Sequence, residues 1–440
     1  MVNNIFLKKL NNFDKFGWII LLSLIGLILI KFLNYEHYPV HDEVVSVTLL
    51  SDIKTSLIKF QATNHYISTQ IGNILIKIFG VDLVKLRLIS LISFFLIIIF
   101  FYKKTKDLNK VLLFILYCLS TDIIIEYYSL YRGYAISALL FTYIYFLMID
   151  EMNKIKNLKI MYFILSILIF HNQSNLFLII PLLLVVTFNF LKNKNKFSLH
   201  SYRIICVYFG IPFFTILFAT SFVEGIKVQK LFLEIVNFNF FIQLNIKDIF
   251  SIFYSGFIEI FFNKFTTVSL FENIYEFCSN IKNNIALFTI FFLSLIKSSY
   301  KIFNKKKTNM IDYVVFLFFI TFLILNKNGP VRIYTGFITF FIIYILKDLN
   351  LLFLNNKFNF YFLFQFVLIF FIVFKIFTAD FIKSKNLKEN YLFFANKMKN
   401  CNFPSKKRAL EFDKHMEYYV YLVECKKKPN INMFYNFYKY

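Results

Sequence analysis

The residues of this chain best placed for chemistry lie in one stretch, Tyr35 to Ser46, with the sequence YEHYPVHDEVVS. Two adjacent carboxylates, Asp42 and Glu43, stand there among His37, His41 and two tyrosines. They follow an apolar run, Trp18 to Leu33, which with its flanks is long enough to cross a bilayer as a helix. Acids just beyond a spanning helix can take a proton, or hold a metal ion, while a lipid-borne substrate stays in the membrane. The same residues also suit the solvated start of a loop, so the choice depends on what the rest of the chain brings to the same side.

Of the 440 residues, 58% are apolar and 64 are Phe, and the mean hydropathy is +0.63. That is far above what a soluble core needs, and an all-α polytopic integral membrane protein is expected. The formal charge of +24 arises from lysines in short clusters between apolar runs. This is the pattern of cytoplasmic loops under the positive-inside rule rather than of a basic face for nucleic acid, so no nucleic-acid partner is expected. The heavy Phe, Ile, Lys and Asn usage suits an AT-rich genome and a bacterial inner (plasma) membrane. Lys8, Lys9 and Lys15 precede a run without a small-residue cleavage site, so the first helix is expected to remain as an anchor. Of the cysteines, only Cys401 and Cys425 suit pairing, and only if the polar tail that carries them lies outside the cytoplasm; an unpaired state fits equally well.

Apolar runs bounded by Lys or Asn clusters give about eleven spans. They fall at Phe16–Leu33, Val84–Tyr102, Val111–Ile125, Tyr134–Ile149, two flanking HNQSN at 171–175, Ile204–Phe222, Ile285–Lys297, Ile311–Leu325, Ile333–Leu346 and Phe358–Thr378. A membrane domain over 1–378 and a basic tail over 379–440 follow, the tail being expected outside the cytoplasm. The first outer loop is 35–83 and a long mixed segment runs over 223–283, where Ile249–Phe262 is apolar enough to be a further span. Within the first loop, Ile67, Ile71, Ile74, Leu75 and Ile78 recur at helical spacing, with Ser68, Asn73 and Lys77 off that stripe. A helix over 64–79 lying on the outer surface is therefore expected, rather than a span.

This topology brings Asp42, Glu43, Asn64, His65, Glu126, Arg132, His171 and Arg332 to one outer face. Ionisable groups near bilayer depth cost about 2.5 to 3.5 kcal/mol at a helix centre, so those near span ends are expected to be paired or in use. Glu126 and Arg132 also suit simple mutual neutralisation.

Several stretches resemble, in order, the GT-C membrane glycosyltransferases, and glycosyltransferase family 39 (the protein O-mannosyltransferase-like enzymes) in particular. HDEVVS resembles the family's Asp-Glu motif, and TNHYISTQIGNILIKIFG its Asn-His surface helix ending in Phe-Gly. KLRLISL resembles Leu-Arg-Leu-Pro-Ser, with Ile89 where Pro is usual. EYYSLYRGYAIS and GPVRIYTGF resemble the Arg-Gly-Tyr and late Arg-Tyr segments. Coverage is good over 16–180, thin over 181–325 and confined to one motif afterwards. Tyr66 replaces the usual Pro after the loop His, and the Gln-Glu often found before Arg-Gly-Tyr is absent, leaving Glu126 one turn away as the nearest acid.

The resemblance implies an inverting hexosyl- or pentosyltransferase. It would move a sugar from a polyprenyl-phosphate donor to a glycan, lipid or protein acceptor outside the cytoplasm. Asp42 is then the general base that activates the acceptor hydroxyl, and Glu43 either orients the acceptor or binds a divalent ion, the one cofactor the sequence leaves room for. Arg332, and secondarily Arg132, are expected to face the phosphate leaving group, since the planar guanidinium fork binds phosphate oxygens bidentately. His65 and Asn64 are expected to reach phosphate or sugar, with Tyr131 and Glu126 beside them. For His171 a structural role fits better than contact with substrate. No Gly-rich phosphate loop is present, which disfavours a nucleotide-linked donor. A polysaccharide polymerase or ligase shares the outer-loop arginines without the Asp-Glu pair after the first helix. A lipid-linked sugar flippase would need broken or charged mid-membrane helices and repeat symmetry, neither of which is visible.

Overall fold

The computed structural model of the protein describes residues 43–44, 46–47, 65–120, 128, 130–150, 155–172, 175–192, 203–212, 215, 285–304, 308–325, 335–347, 388–396, 401 and 411–426. Every regular element among them is a helix. These are α1 (Tyr66–Phe79), α2 (Leu83–Thr105), α3 (Leu108–Ser120), α4 (Tyr134–Asp150), α5 (Ile155–His171), α6 (Leu176–Lys192), α7 (Ile285–Phe303), α8 (Met310–Leu325), α9 (Ile338–Lys347) and α10 (Glu411–Glu424). The expected surface helix and the described parts of the second to tenth expected spans, the seventh being described mainly over 203–212, fall largely on helices. The first and eleventh expected spans, the 223–283 segment and the boundary at residue 378 lie outside the described residues. Among the described helices, α2 is long and apolar enough to cross a bilayer. Its 23 residues reach about 34 Å at 1.5 Å per residue, against a hydrocarbon core of about 30 Å.

The chain divides into two compact units. One comprises Met1–Thr55, Ser68–Arg132 and Leu346–Tyr440, the other Ser56–Ile67 and Gly133–Ile345. In the first, α1 stops at Gly80, whose φ of +77° is open to glycine without strain and whose N–H reaches the Ile76 carbonyl at 2.9 Å. Asp82 caps the start of α2 by accepting from the Lys85 N–H at 3.3 Å. Lys106, left-handed at φ 50°, ends that helix with its N–H on the Tyr102 carbonyl, and α3 turns back so that Phe114 meets Phe101 with ring centroids 5.1 Å apart. α10 buries Met416, Tyr418, Tyr419, Val420 and Leu422. Buried positions that are consecutive along a helix cannot lie on one stripe, so α10 is enclosed on several sides. Tyr391 donates its hydroxyl to Glu424 at 2.5 Å, and a Cys401–Cys425 disulfide closes the segment between them.

In the second unit, α8 is the hub, packing against α6, α7 and α4, while α4 also lies on α5. Its core is aromatic: Phe318 meets Phe341 with ring centroids at 4.7 Å, Phe291 meets Phe341 at 5.1 Å, and Tyr145 meets Phe340 at 5.1 Å. Asp312, fully buried, caps α8 by accepting the Asn309 N–H at 2.7 Å. It also accepts the Tyr344 hydroxyl at 2.7 Å and pairs with Lys301 at 3.6 Å. Lys297 donates to the Tyr344 carbonyl and lies over that ring. These charges join α7, α8 and α9, so they are read as structural.

Closing a loop of this length with a disulfide contributes about 3 kcal/mol on the chain-entropy estimate. Peptide mapping of never-reduced protein should therefore recover a Cys401–Cys425 cross-linked peptide, and reduction should lower the melting temperature. Complete alkylation of both thiols in never-reduced membranes would remove the bridge.

Candidate functional site

Glu43 sits fully buried against Arg87, the fifth residue of α2. The guanidinium grips it with both sides of its fork, Nε donating to Oε1 at 2.8 Å and a terminal nitrogen to Oε2 at 2.6 Å. A third donor, the Tyr131 backbone N–H, reaches Oε1 at 2.7 Å. One turn along α2 from Arg87, Ser90 donates its hydroxyl to the Arg132 carbonyl at 2.7 Å. Residues three apart on a helix share a face, so a single face of α2 holds both Glu43 and the stretch of chain through Tyr131 and Arg132.

Tyr131 is buried, and its hydroxyl donates to the Ser68 carbonyl of α1 at 3.2 Å. The ring passes over Gly72 so closely that a Cβ there would fall 1.8 Å from the phenol oxygen. Burial pushes the phenol up from its ordinary value, the neighbouring Arg132 charge opposing and Glu43 adding to the rise, so the group stays protonated as its donor role requires. The Arg132 side chain is buried as well. Tyr419 of α10, also in this unit, is buried within electrostatic reach of Glu43 and Arg87.

The second unit holds a histidine cluster. His171, the last residue of α5 and the start of the HNQSN segment, is fully buried. Its Nδ1 accepts the Ile67 N–H at 3.1 Å, and its Nε2 faces the Gly133 carbonyl at 2.8 Å. These partners assign the neutral ring with the proton on Nε2. Burial pulls its pKa down to about 4, the bond to Gly133 opposing. His65 Nδ1 accepts from the Asn172 amide at 3.1 Å, and the ring meets Tyr134 edge-on at 4.2 Å. A Cβ on Gly133 would come within 2.5 Å of both His171 and His65, which is why the residue between Arg132 and Tyr134 has no side chain. Asn175 ties α6 to its neighbours by donating to Ser137 of α4 and to the Leu168 carbonyl of α5, both at 3.0 Å.

Of the residues expected at the site, Glu43, Tyr131 and Arg132 come together in the first unit and His65 lies in the second. Asp42, Asn64, Glu126 and Arg332 lie outside the described residues. Glu43 is fully buried and is engaged by Arg87 and by the Tyr131 backbone. Among the described residues no group of three His, Cys, Asp or Glu side chains is placed to hold a metal ion. Tyr131 turns its phenol to α1, which makes it a strut rather than an open sugar-binding surface. Arg87 and Ser90 entered the sequence reading only within KLRLISL and Asn172 only within HNQSN, none with a role of its own, and Tyr419 was not singled out. For Arg87 the signal was present, since a charge inside an apolar run requires a partner.

No family model, no curated protein and no solved structure matches this chain. What the site does is therefore argued from its residues.

Removing one member of a buried ion pair costs about 3 to 5 kcal/mol, whereas replacing both members with apolar groups costs little. Arg87→Ala should destabilise the purified protein by that order in thermal unfolding, and Glu43→Leu with Arg87→Met should recover most of the loss. A fully stable Arg87→Ala would show that the pair does not hold this unit together. His171 gives a second test. Its folded pKa of about 4 lies below the unfolded value near 6.5, so its contribution is complete above pH 6.5 and is lost as pH falls toward 4, roughly 3 kcal/mol in all. His171→Gln should flatten the melting temperature between pH 6.5 and 4.5, and an unchanged slope would mean that another group titrates.

Proposed function

We propose that the protein is a multi-pass membrane glycosyltransferase of the inverting, lipid-phosphate-donor type, with about eleven spans and its site on the extracytoplasmic face of a bacterial plasma membrane. The observation that carries this reading is the fixing of Glu43. Three charge-assisted hydrogen bonds hold the residue next to Asp42 in the chain. A general base must stay within hydrogen-bond reach of the proton it takes, and a rigidly held neighbour favours that. The Cys401–Cys425 bridge supports an oxidising compartment for the tail, and the length of α2 supports a membrane crossing.

In this reading the Asp42 carboxylate accepts the proton of the acceptor hydroxyl as its oxygen attacks the anomeric carbon. The bond from that carbon to the phosphate oxygen breaks on the opposite face, and the configuration inverts. Charge grows on the departing lipid phosphate, and Arg332, helped by Arg132, faces it. Glu43 and Arg87 pair beside Asp42 in the sequence, and His65 and Asn64 are assigned to the donor phosphate or sugar. Each of these steps is assigned to the chain's own side chains.

Purified protein supplied with a panel of radiolabelled polyprenyl-phosphate sugars should consume one of them. Asp42→Asn should lower that transfer by at least about a hundredfold, the order expected for loss of a general base, with membrane insertion unchanged. Wild-type turnover by Asp42→Asn would dismiss Asp42 as the base, and consumption of none of the donors would dismiss the activity.

A further inference from the structure

α1 is amphipathic in the reverse of the usual sense. From Ser68 onward, the side facing the protein is largely polar or small, with Ser68, Thr69, Gly72 and Asn73 buried beside Ile76. The side facing outward is apolar, with Ile71, Ile74, Ile78 and Phe79 exposed by 38, 53, 65 and 53%. A helix in water turns its apolar stripe inward, so this arrangement calls for an apolar medium outside. The exposed stripe continues onto α2, where Leu88, Ile92, Leu96 and Ile99 stand outward at helical spacing along the one described helix long enough to cross a bilayer. At the join, Lys85 lies over the Phe79 ring at 4.8 Å, and exposed Lys77 stands beside the stripe. Aromatic and lysine side chains in that order, apolar body below and charge above, suit the headgroup level of a membrane with anionic lipids.

The inner side of the same helix reaches the ion pair through one residue. Tyr131 touches α1 with its ring, over Gly72 and onto the Ser68 carbonyl at 3.2 Å, and touches Glu43 with its backbone N–H at 2.7 Å. With α1 seated in the outer interface of a lipid bilayer, as its sequence already leads one to expect, we propose that Tyr131, as a positioning residue, carries that seating to the Glu43–Arg87 pair. Glu43 is then held in register by contact with the membrane that would supply a lipid-borne donor. The inference rests on the membrane placement proposed above and not on the transfer chemistry.

The chain has one tryptophan, Trp18, so a Trp18→Phe, Ile74→Trp variant reports from α1 alone. Reconstituted in phosphatidylcholine–phosphatidylglycerol vesicles, it should be quenched by acyl-brominated lipid and protected from aqueous iodide. The opposite pattern would overturn the seating. Coupling is read in the same vesicles by hydrogen exchange at the Tyr131 amide. Gly72→Ala should displace the ring and speed that exchange at least about tenfold, as loss of a hydrogen bond to a charged group implies. Exchange in the middle of α2 should not change. Adding Tyr131→Ala, which removes the ring but keeps the amide, should restore protection. Unchanged exchange in Gly72→Ala, or no rescue, would overturn the coupling. Should Gly72→Ala fail to insert, Tyr131→Phe, which removes only the bond to Ser68, should raise the exchange by a smaller factor, and no rise would count against the coupling in the same way. Neither readout involves sugar transfer, so an inactive protein would leave this inference standing. An active one whose introduced tryptophan is open to water would remove this inference alone.

Discussion

The buried pair of Glu43 and Arg87 is the constraint on which the first unit depends. Taking both charges out of water costs several kcal/mol per ion, and only good geometry offsets it. The geometry here meets that condition: Nε and a terminal nitrogen of the guanidinium each meet a different carboxylate oxygen, and the carboxylate has a third donor in the Tyr131 N–H. Arginine suits the position because its planar fork is pre-organised and stays charged at any accessible pH, where lysine would offer a single point of charge. Such a pair adds little net stability over well-packed apolar residues, so what it contributes is register. It fixes Glu43, the start of α2 and the segment through Tyr131 and Arg132 to one another.

Register is carried outward from the pair by close contacts that leave little room for variation. Gly72 lets the Tyr131 ring lie against α1, and Ser90 holds the Arg132 carbonyl from the same helix face as Arg87. The second unit uses the same means with neutral groups. His171 is held by two backbone partners, His65 by an asparagine amide, and Gly133 is bare because the imidazoles occupy the space a side chain would need. A neutral, hydrogen-bonded imidazole can be buried without the penalty of a charge, which suits histidine and asparagine to the cluster around Gly133.

Apolar surface is arranged unlike that of a protein packed for water. Phenylalanine builds the interior around α8, yet large isoleucines and leucines stand outward along α1 and α2. A composition in which apolar residues are abundant enough to fill the core and also cover an outer face is what a bilayer solvent permits.

The helical class, the positions of most helices and the apolar stripe of α1 were legible in the sequence, because each depends on local periodicity and on where lysines interrupt apolar runs, whereas the burial of the polar side of α1 was not. The Asp-Glu stretch and the segment around Arg132 also stood out, since charges beside apolar runs are few. Which group answers Glu43 was not legible. Arg87 lies 44 positions away, Tyr131 contributes a backbone N–H that has no letter in a sequence, and the bareness of Gly72 and Gly133 has meaning only once a ring arrives from another part of the chain. Local pattern determines elements because hydrophobic burial acts along the chain at a fixed period. Partnership between buried polar groups is decided by three-dimensional proximity, which tertiary packing alone supplies.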